Sequence, residues 1–245
     1  MRKNLPNLLV SSLCILFSSL SPAMKNHPPE YYFSGEQLIL AQAIVSGNLN
    51  CVIRLAPHTR LNEPGKQDMT LLFFAIQSGF NRKLNQLNII SQLVKEGADP
   101  FQDIPDMGSV AEIVATSPHS EFMQALIDGG MNINVKILGQ PLLHDAASDN
   151  TLNTMKLMVN RGADVNATDS LGKPTIMQAL DGMQLDTVEW LLNHGANPNA
   201  IETNTGWSFM RQLNDVIERN KGGAERTQSK LMKIRQLSIV KGGVI

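Results

Sequence analysis

The chain has 245 residues, 42% of them hydrophobic and 18% charged, with a formal net charge of −1. That balance suits a folded domain, and the lack of a Lys and Arg excess argues against nucleic acid as a partner. Two cysteines, Cys14 and Cys51, exclude a disulfide-rich scaffold.

Arg2 and Lys3 make a basic start, and Leu8 to Leu20 is an apolar run of signal-peptide length, short for a membrane span. Ser21-Pro22-Ala23 then offers small residues for cleavage, so residues 1–23 are expected to be a signal peptide cut after Ala23. An uncleaved N-terminal anchor is the alternative, and Leu13 before Cys14 argues against a lipid-anchored form. Cleavage removes two basic residues and no acids, leaving 19 basic against 22 acidic residues, a net charge of −3. Cys51 is then alone, and its apolar helical run predicts a buried small hydrophobe.

Residues 24–34, with two prolines and two tyrosines, read as an extended lead-in. From Gly35 the pattern becomes helical. Leu38, Leu40, Ala41 and Ala43 predict a first helix closed by Gly47, and Val52, Ile53 and Leu55 a second, followed by a turn at Arg60-Leu61-Asn62. Thr70-Leu71-Leu72-Phe73 opens the next pair, whose first helix ends at Gly79. A long connection, Phe80 to Asn88, then leads to a second helix from Ile89 to Glu96. Val110, Ile113 and Val114 with Phe122, Met123, Leu126 and Ile127 make a degenerate third pair. Pro141 to Ala147 with Met155 to Val159, and Pro174 to Ala179 with Val188 to Leu192, make the fourth and fifth. Gly206 to Arg219 reads as one more first helix. Leu231, Ile234, Leu237 and Val240 mark a final helix in residues 221–245, whose polar face suits the end of an array.

Between the pairs one turn recurs. Gly97-Ala98-Asp99-Pro100, Gly130-Met131-Asn132-Ile133-Asn134, Gly162-Ala163-Asp164-Val165-Asn166 and Gly195-Ala196-Asn197-Pro198-Asn199 are spaced by 33, 32 and 33 residues. Each Gly ends an apolar helical run and can take the left-handed conformation, and the Asp or Asn that follows can start a turn. With its matched helices, this period resembles the ankyrin-repeat family over roughly residues 36 to 220. The resemblance implies an all-α solenoid of about five to six helix-turn-helix units with short β-hairpin fingers, over residues 35–220. His144 falls at the His of the family's Thr-Pro-Leu-His motif, where it is expected to bond the backbone and brace a turn.

Chemistry is sparse. There is no nucleophile elbow and no phosphate-cradling loop, and the five histidines lack metal spacing, so neither enzyme activity nor a cofactor is expected. Met123, Met155 and Met158 fall at core spacing, as does Trp190, whereas Trp207 is a candidate partner anchor. The finger tips hold Phe101, Ile104, Met107, Ile137 and Leu138, apolar where polar turns would serve, rimmed by Asp103, Asp106 and Lys136. Two readings stay open: local packing of long turns, or an interface strip. Under the second, these residues with Asp169, Lys173 and Trp207 are the candidate partner-binding set.

The stretch Tyr32-Phe33-Ser34-Gly35-Glu36-Gln37-Leu38, continued by Leu40-Ala41 and by Asp68-Met69-Thr70-Leu71-Leu72-Phe73, resembles exported enterobacterial ankyrin proteins associated with type VI secretion lipase effectors. The resemblance implies a periplasmic immunity protein that binds a phospholipase effector. A periplasmic scaffold supporting an envelope enzyme, for example in oxidative defence, is the alternative.

Overall fold

A computed structural model of the chain describes residues 27–79 and 84–244. The expected signal peptide, its cleavage point, Cys14 and residues 80–83 of the long connection lie outside them. The chain divides into two compact units, residues 1–131 and 132–245.

In the first unit a short helix α1 (Pro29–Tyr32) precedes three helix pairs: α2 (Gly35–Val45) with α3 (Leu49–Leu55), α4 (Leu71–Ser78) with α5 (Leu84–Lys95), and α6 (Val110–Ala115) with α7 (Ser120–Asp128). Helix α5 begins at Leu84, five residues before the sequence suggested, because polar Asn85 and Asn88 fall on its exposed side while Ile89, Ile90 and Leu93 fall inside. Successive pairs pack side by side: α2 on α4, α3 on α5, and α5 on α7. The seam of α5 and α7 is tight. A Cβ at Gly129 would lie 2.6 Å from the Ser91 carbonyl oxygen. Phe122, Met123 and Leu126 fill the layer from α7, and burying each such side chain stabilises by about 1.5–3 kcal/mol.

The second unit repeats the plan with α8 (Leu142–Asp145) and α9 (Leu152–Asn160), α10 (Thr175–Asp181) and α11 (Leu185–Asn193), and α12 (Phe209–Arg219) and α13 (Glu225–Val240). Met155 and Met158 are fully buried, as their spacing predicts. Helix α13 packs on both α11 and α12, so the helix that closes the array is also the outer helix of the sixth pair.

Each first helix starts where a finger ends. Thr70, Ser109 and Ser208 cap α4, α6 and α12 by accepting from the amides of Phe73, Glu112 and Arg211. Glu112 completes a capping box with Ser109. The second helices α5, α7, α9 and α11 end at left-handed glycines, Gly97, Gly130, Gly162 and Gly195, with φ between 97° and 102°.

An asparagine ladder then ties repeats together. The Nδ2 of Asn62, Asn134 and Asn166 donates to the carbonyl of Gly97, Gly162 and Gly195 at 2.9–3.0 Å. Their Oδ1 atoms accept from the amides of Asp99, Asp164 and Asn197. Asn199 makes the same pair of bonds to Gly242 and Val244. The turn after α13 therefore copies the internal turns, although its sequence, Gly242-Gly243-Val244, hides the likeness.

Two expectations need correction. Residues 29–32 form a helical turn rather than an extended lead-in, because Tyr32 and Phe33 are 3% and 5% exposed and dock on the first repeats. Cys51 is half-buried rather than enclosed, since Val52 is the residue that points into the core, and the Arg54 guanidinium lies 3.7 Å from the Cys51 sulfur.

Candidate interaction surface

In the first unit the first finger is closed by Gly65 donating to the Met69 carbonyl at 2.9 Å. Its inner side is occupied. Tyr32 and Phe33 pack edge-on against Phe74 of α4, with centroids 6.0 and 5.4 Å away, and Tyr31 lies under the Lys66 ammonium at 4.2 Å. Burial holds the Tyr32 phenol above its usual pKa. Gln42 donates to Glu30 at 2.7 Å, which lowers the pKa of that exposed carboxyl and ties α1 to α2.

The second finger is the hairpin β1 (Asp103–Ile104) and β2 (Gly108–Ser109). Asp103 and Asp106 are exposed, and Phe101 and Met107 are half-buried. Ile104 is only 4% exposed, so it leaves the proposed strip: strand alternation turns it inward when Asp103 faces out. Phe101 stands where the other turns place the ladder asparagine.

The second unit presents three fingers. The first is the hairpin β3 (Lys136–Ile137) and β4 (Gln140–Pro141). The others, residues 168–174 and 201–208, are each closed by one antiparallel bridge, Thr168 to Pro174 and Ile201 to Ser208. His144 braces them from below. Its Nε2 lies 3.3 Å from the Ala167 carbonyl, at the foot of the second finger, and burial lowers its pKa. That is the turn-bracing role the sequence motif implied. Lys136 and Leu138 are exposed and Ile137 is half-buried.

Asp169 and Lys173 hold the second finger together. Asp169 Oδ1 accepts from the amides of Leu171 and Lys173 at 2.9 Å. The Lys173 ammonium lies 2.6 Å from Asp181 on α10 and 3.8 Å from Glu202 on the third finger. Burial works against its charge, but the Asp181 hydrogen bond and the three nearby carboxylates outweigh burial and raise its pKa. Gln212 of α12 joins by donating to Asp181 and to the Met177 carbonyl, and Thr205 donates to Glu202 at 2.6 Å. Sequence spacing did not disclose Asp181, Glu202 and Gln212; only the register of finger on helix brings them to Lys173. Trp207 is half-buried, with the Arg211 guanidinium 4.3 Å above its ring. Trp190 is also half-buried, stacked on His194 at 3.7 Å.

A cleft of about 460 Å³ between the first two fingers of this unit is lined by Asn134, Lys136, Asp164, Asn166 and Thr168, with neither histidine nor cysteine on its walls. Among the described residues no cluster of His, Cys, Asp or Glu could hold a metal ion, and no helix is long and apolar enough to cross a membrane.

Residues 110–202 match the family model for ankyrin repeats, in three copies. None of the curated proteins matches the sequence. Among solved structures, the ankyrin repeat domain of Bcl-3, described as a unique member of the IkappaB protein family, is 24% identical, with a TM-score of 0.62 over 84% of this chain and 86% of that one. An ankyrin repeat domain from Acinetobacter baumannii AYE is 18% identical, with a TM-score of 0.60 over 84% of this chain and 98% of its own. By its repeats and by its fold, the chain is an ankyrin-repeat solenoid.

Proposed function

We propose that this chain is a protein-binding scaffold that works as an immunity protein in the periplasm, docking on a phospholipase effector and blocking lipid access to its active site. Ankyrin repeats serve as protein-interaction scaffolds, and the observation that carries the reading is the second unit's row of three fingers, stiffened by the Lys173, Asp181, Glu202 and Gln212 network. A stiff surface loses little conformational freedom on docking, and a block of this kind needs an interface of about 1,600 Å² in total. The basic start, short apolar run and Ser21-Pro22-Ala23 support export, and the resemblance around Tyr32 to Ala41 supports the class of partner.

The test is co-purification of residues 24–245 with the products of neighbouring genes, followed by a lipase assay. Stoichiometric binding and loss of lipase activity are expected. A neighbouring lipase that the chain neither binds nor inhibits removes the immunity reading, and a neighbouring catalase bound instead favours support of an envelope enzyme.

A further inference from the structure

The hairpin from Lys136 to Pro141 turns through two residues, Leu138 and Gly139, with φ of 51° and 84°. Positive φ at both central positions is the signature of a type I′ turn, which favours Asn-Gly or Asp-Gly. Leucine is strained there, because its Cβ crowds the following carbonyl oxygen in the left-handed region. Among the described residues, the other non-glycine residues with positive φ are Gln67, Asp68, Asp106 and Met183. Leu138 differs from them in being both apolar and 89% exposed. Its side chain therefore gives the folded chain almost nothing in return for the strain, and strain of that kind marks a functional position.

A second leucine stands beside it. Leu171 holds the same place in the next finger, immediately before a left-handed glycine, and is 50% exposed. The two tips touch: a Cβ at Gly139 would lie 3.0 Å from that of Ser170. The Leu171 carbonyl accepts from the Asn204 amide and the Thr203 hydroxyl at 3.0 and 3.1 Å, so the third finger fixes the second. The edge also has a sign. Lys136 is exposed and makes no ion pair among the described residues, whereas Asp169 is bound by backbone amides and Lys173 by carboxylates.

We propose that Leu138, with Leu171 beside it, is a leucine ridge that enters an apolar slot on a partner protein, and that the slot is bordered by a carboxylate facing Lys136. The proposal rests on the reading that this unit's fingers bind protein, and it holds for any partner of that chemistry. A membrane surface fits less well, since two leucines and one lysine among Gln140, Ser170, Thr203 and Asn204 offer too little apolar area for stable insertion.

The experiment has two arms, both in the exported chain. Leu138→Asn restores the favoured turn, so its urea midpoint should rise. A fall would show that Leu138 holds the finger and would overturn the ridge. In the second arm, benzoylphenylalanine replaces Leu138, or Gln236 on α13 as a control, for photocrosslinking in the native cell. A protein crosslink is expected from position 138 and not from 236, mapping to a segment rich in apolar residues and Asp or Glu. The purified partner should then bind Leu138→Asn and Lys136→Glu at least tenfold more weakly. Crosslinks to lipid, to a second copy of this chain, from both positions or from neither would each overturn the proposal. If the crosslinked protein is not a lipase, the ridge stands and the immunity reading fails. If a lipase is bound and inhibited equally well by Leu138→Asn, the immunity reading stands and the ridge fails.

Discussion

The two units are built from the same parts and treat the inner side of their first helices differently. Counting four residues on from the residue just before each first helix, Thr70, Ser109, Pro141, Pro174 or Ser208, gives Phe74 and Ile113 in the first unit, and Asp145, Gln178 and Gln212 in the second. The apolar Phe74 is covered by the chain's own Tyr32 and Phe33. Two of the polar positions are tied instead into bonds with neighbouring elements: Asp145 accepts from Gln140 of the first finger at 2.7 Å, and Gln212 donates to Asp181 at the end of α10. One column of side chains thus separates an inner face covered by the chain's own aromatic residues from one that carries polar groups. The turns, ladder and core that make the repeat are indifferent to the choice.

The largest expected effect separates the units directly. Phe74→Ala removes a buried ring from beneath Tyr32 and Phe33 and should cost about 3–5 kcal/mol. Gln178→Ala, at the equivalent place in the second unit, should stay within about 0.5 kcal/mol. Urea unfolding of both variants checks the pair, and equal costs would mean that the cover over Phe74 adds nothing. Gly65→Ala attacks the same cover without touching the core. Its backbone φ of −81° suits any residue, but the new Cβ would lie 2.5 Å from the Tyr32 carbonyl oxygen and 2.9 Å from the Phe33 ring. The expected cost is about 1–3 kcal/mol, as for overpacking, with faster proteolysis confined to residues 27–34. Unchanged proteolysis there would show that the segment does not depend on the Gly65 cradle.

How much of this was legible in the sequence follows from how local each signal is. The glycine turns, the ladder asparagines and the helix pairs are written at a fixed period and were readable, including Asn62 in a first repeat that lacks its glycine. The cover of Tyr32 and Phe33 was not, because its partners Gly65 and Phe74 lie 32 to 42 residues away and a Pro-rich aromatic segment reads as extended. Ile104 was misjudged because a two-residue strand is too short to reveal its inward phase by alternation. Lys173 is a candidate partner-binding residue in the sequence, yet its partners Asp181 and Glu202 come from different elements and only the fold sets them beside it. Leu138 was readable as an odd apolar tip residue, and its strained φ was not.

The ladder tests whether the two chassis are equivalent. Asn62→Ala and Asn166→Ala each delete one bond given to a glycine carbonyl and one accepted from the next turn. Each should cost about 1–2 kcal/mol, since a typical hydrogen bond contributes about 0.5–1.5 kcal/mol net. A large inequality between the two would mean that the units differ in framework as well as in face.

The smallest effect is a pH dependence that belongs to one unit. Three residues past each finger stand Phe73 and Glu112 in the first unit, and His144, Met177 and Arg211 in the second. His144 is 5% exposed, and burial, opposed by its bond to Ala167, leaves its pKa below the ordinary histidine value. The unfolded chain then binds the proton more tightly than the folded one. The stability held by neutral His144 is complete above the unfolded value of about 6.5 and drains away as pH falls below it, through the folded value. His144→Met, which copies Met177 of the next repeat, removes that titration. Between pH 7.5 and 5.5 the wild-type urea midpoint should therefore fall more than that of His144→Met. The extra loss of hydrogen-exchange protection should appear in amides near Ala167 and not around Phe73. Parallel pH profiles would show that the imidazole is held equally well in either charge state, and the brace would then be a matter of shape alone.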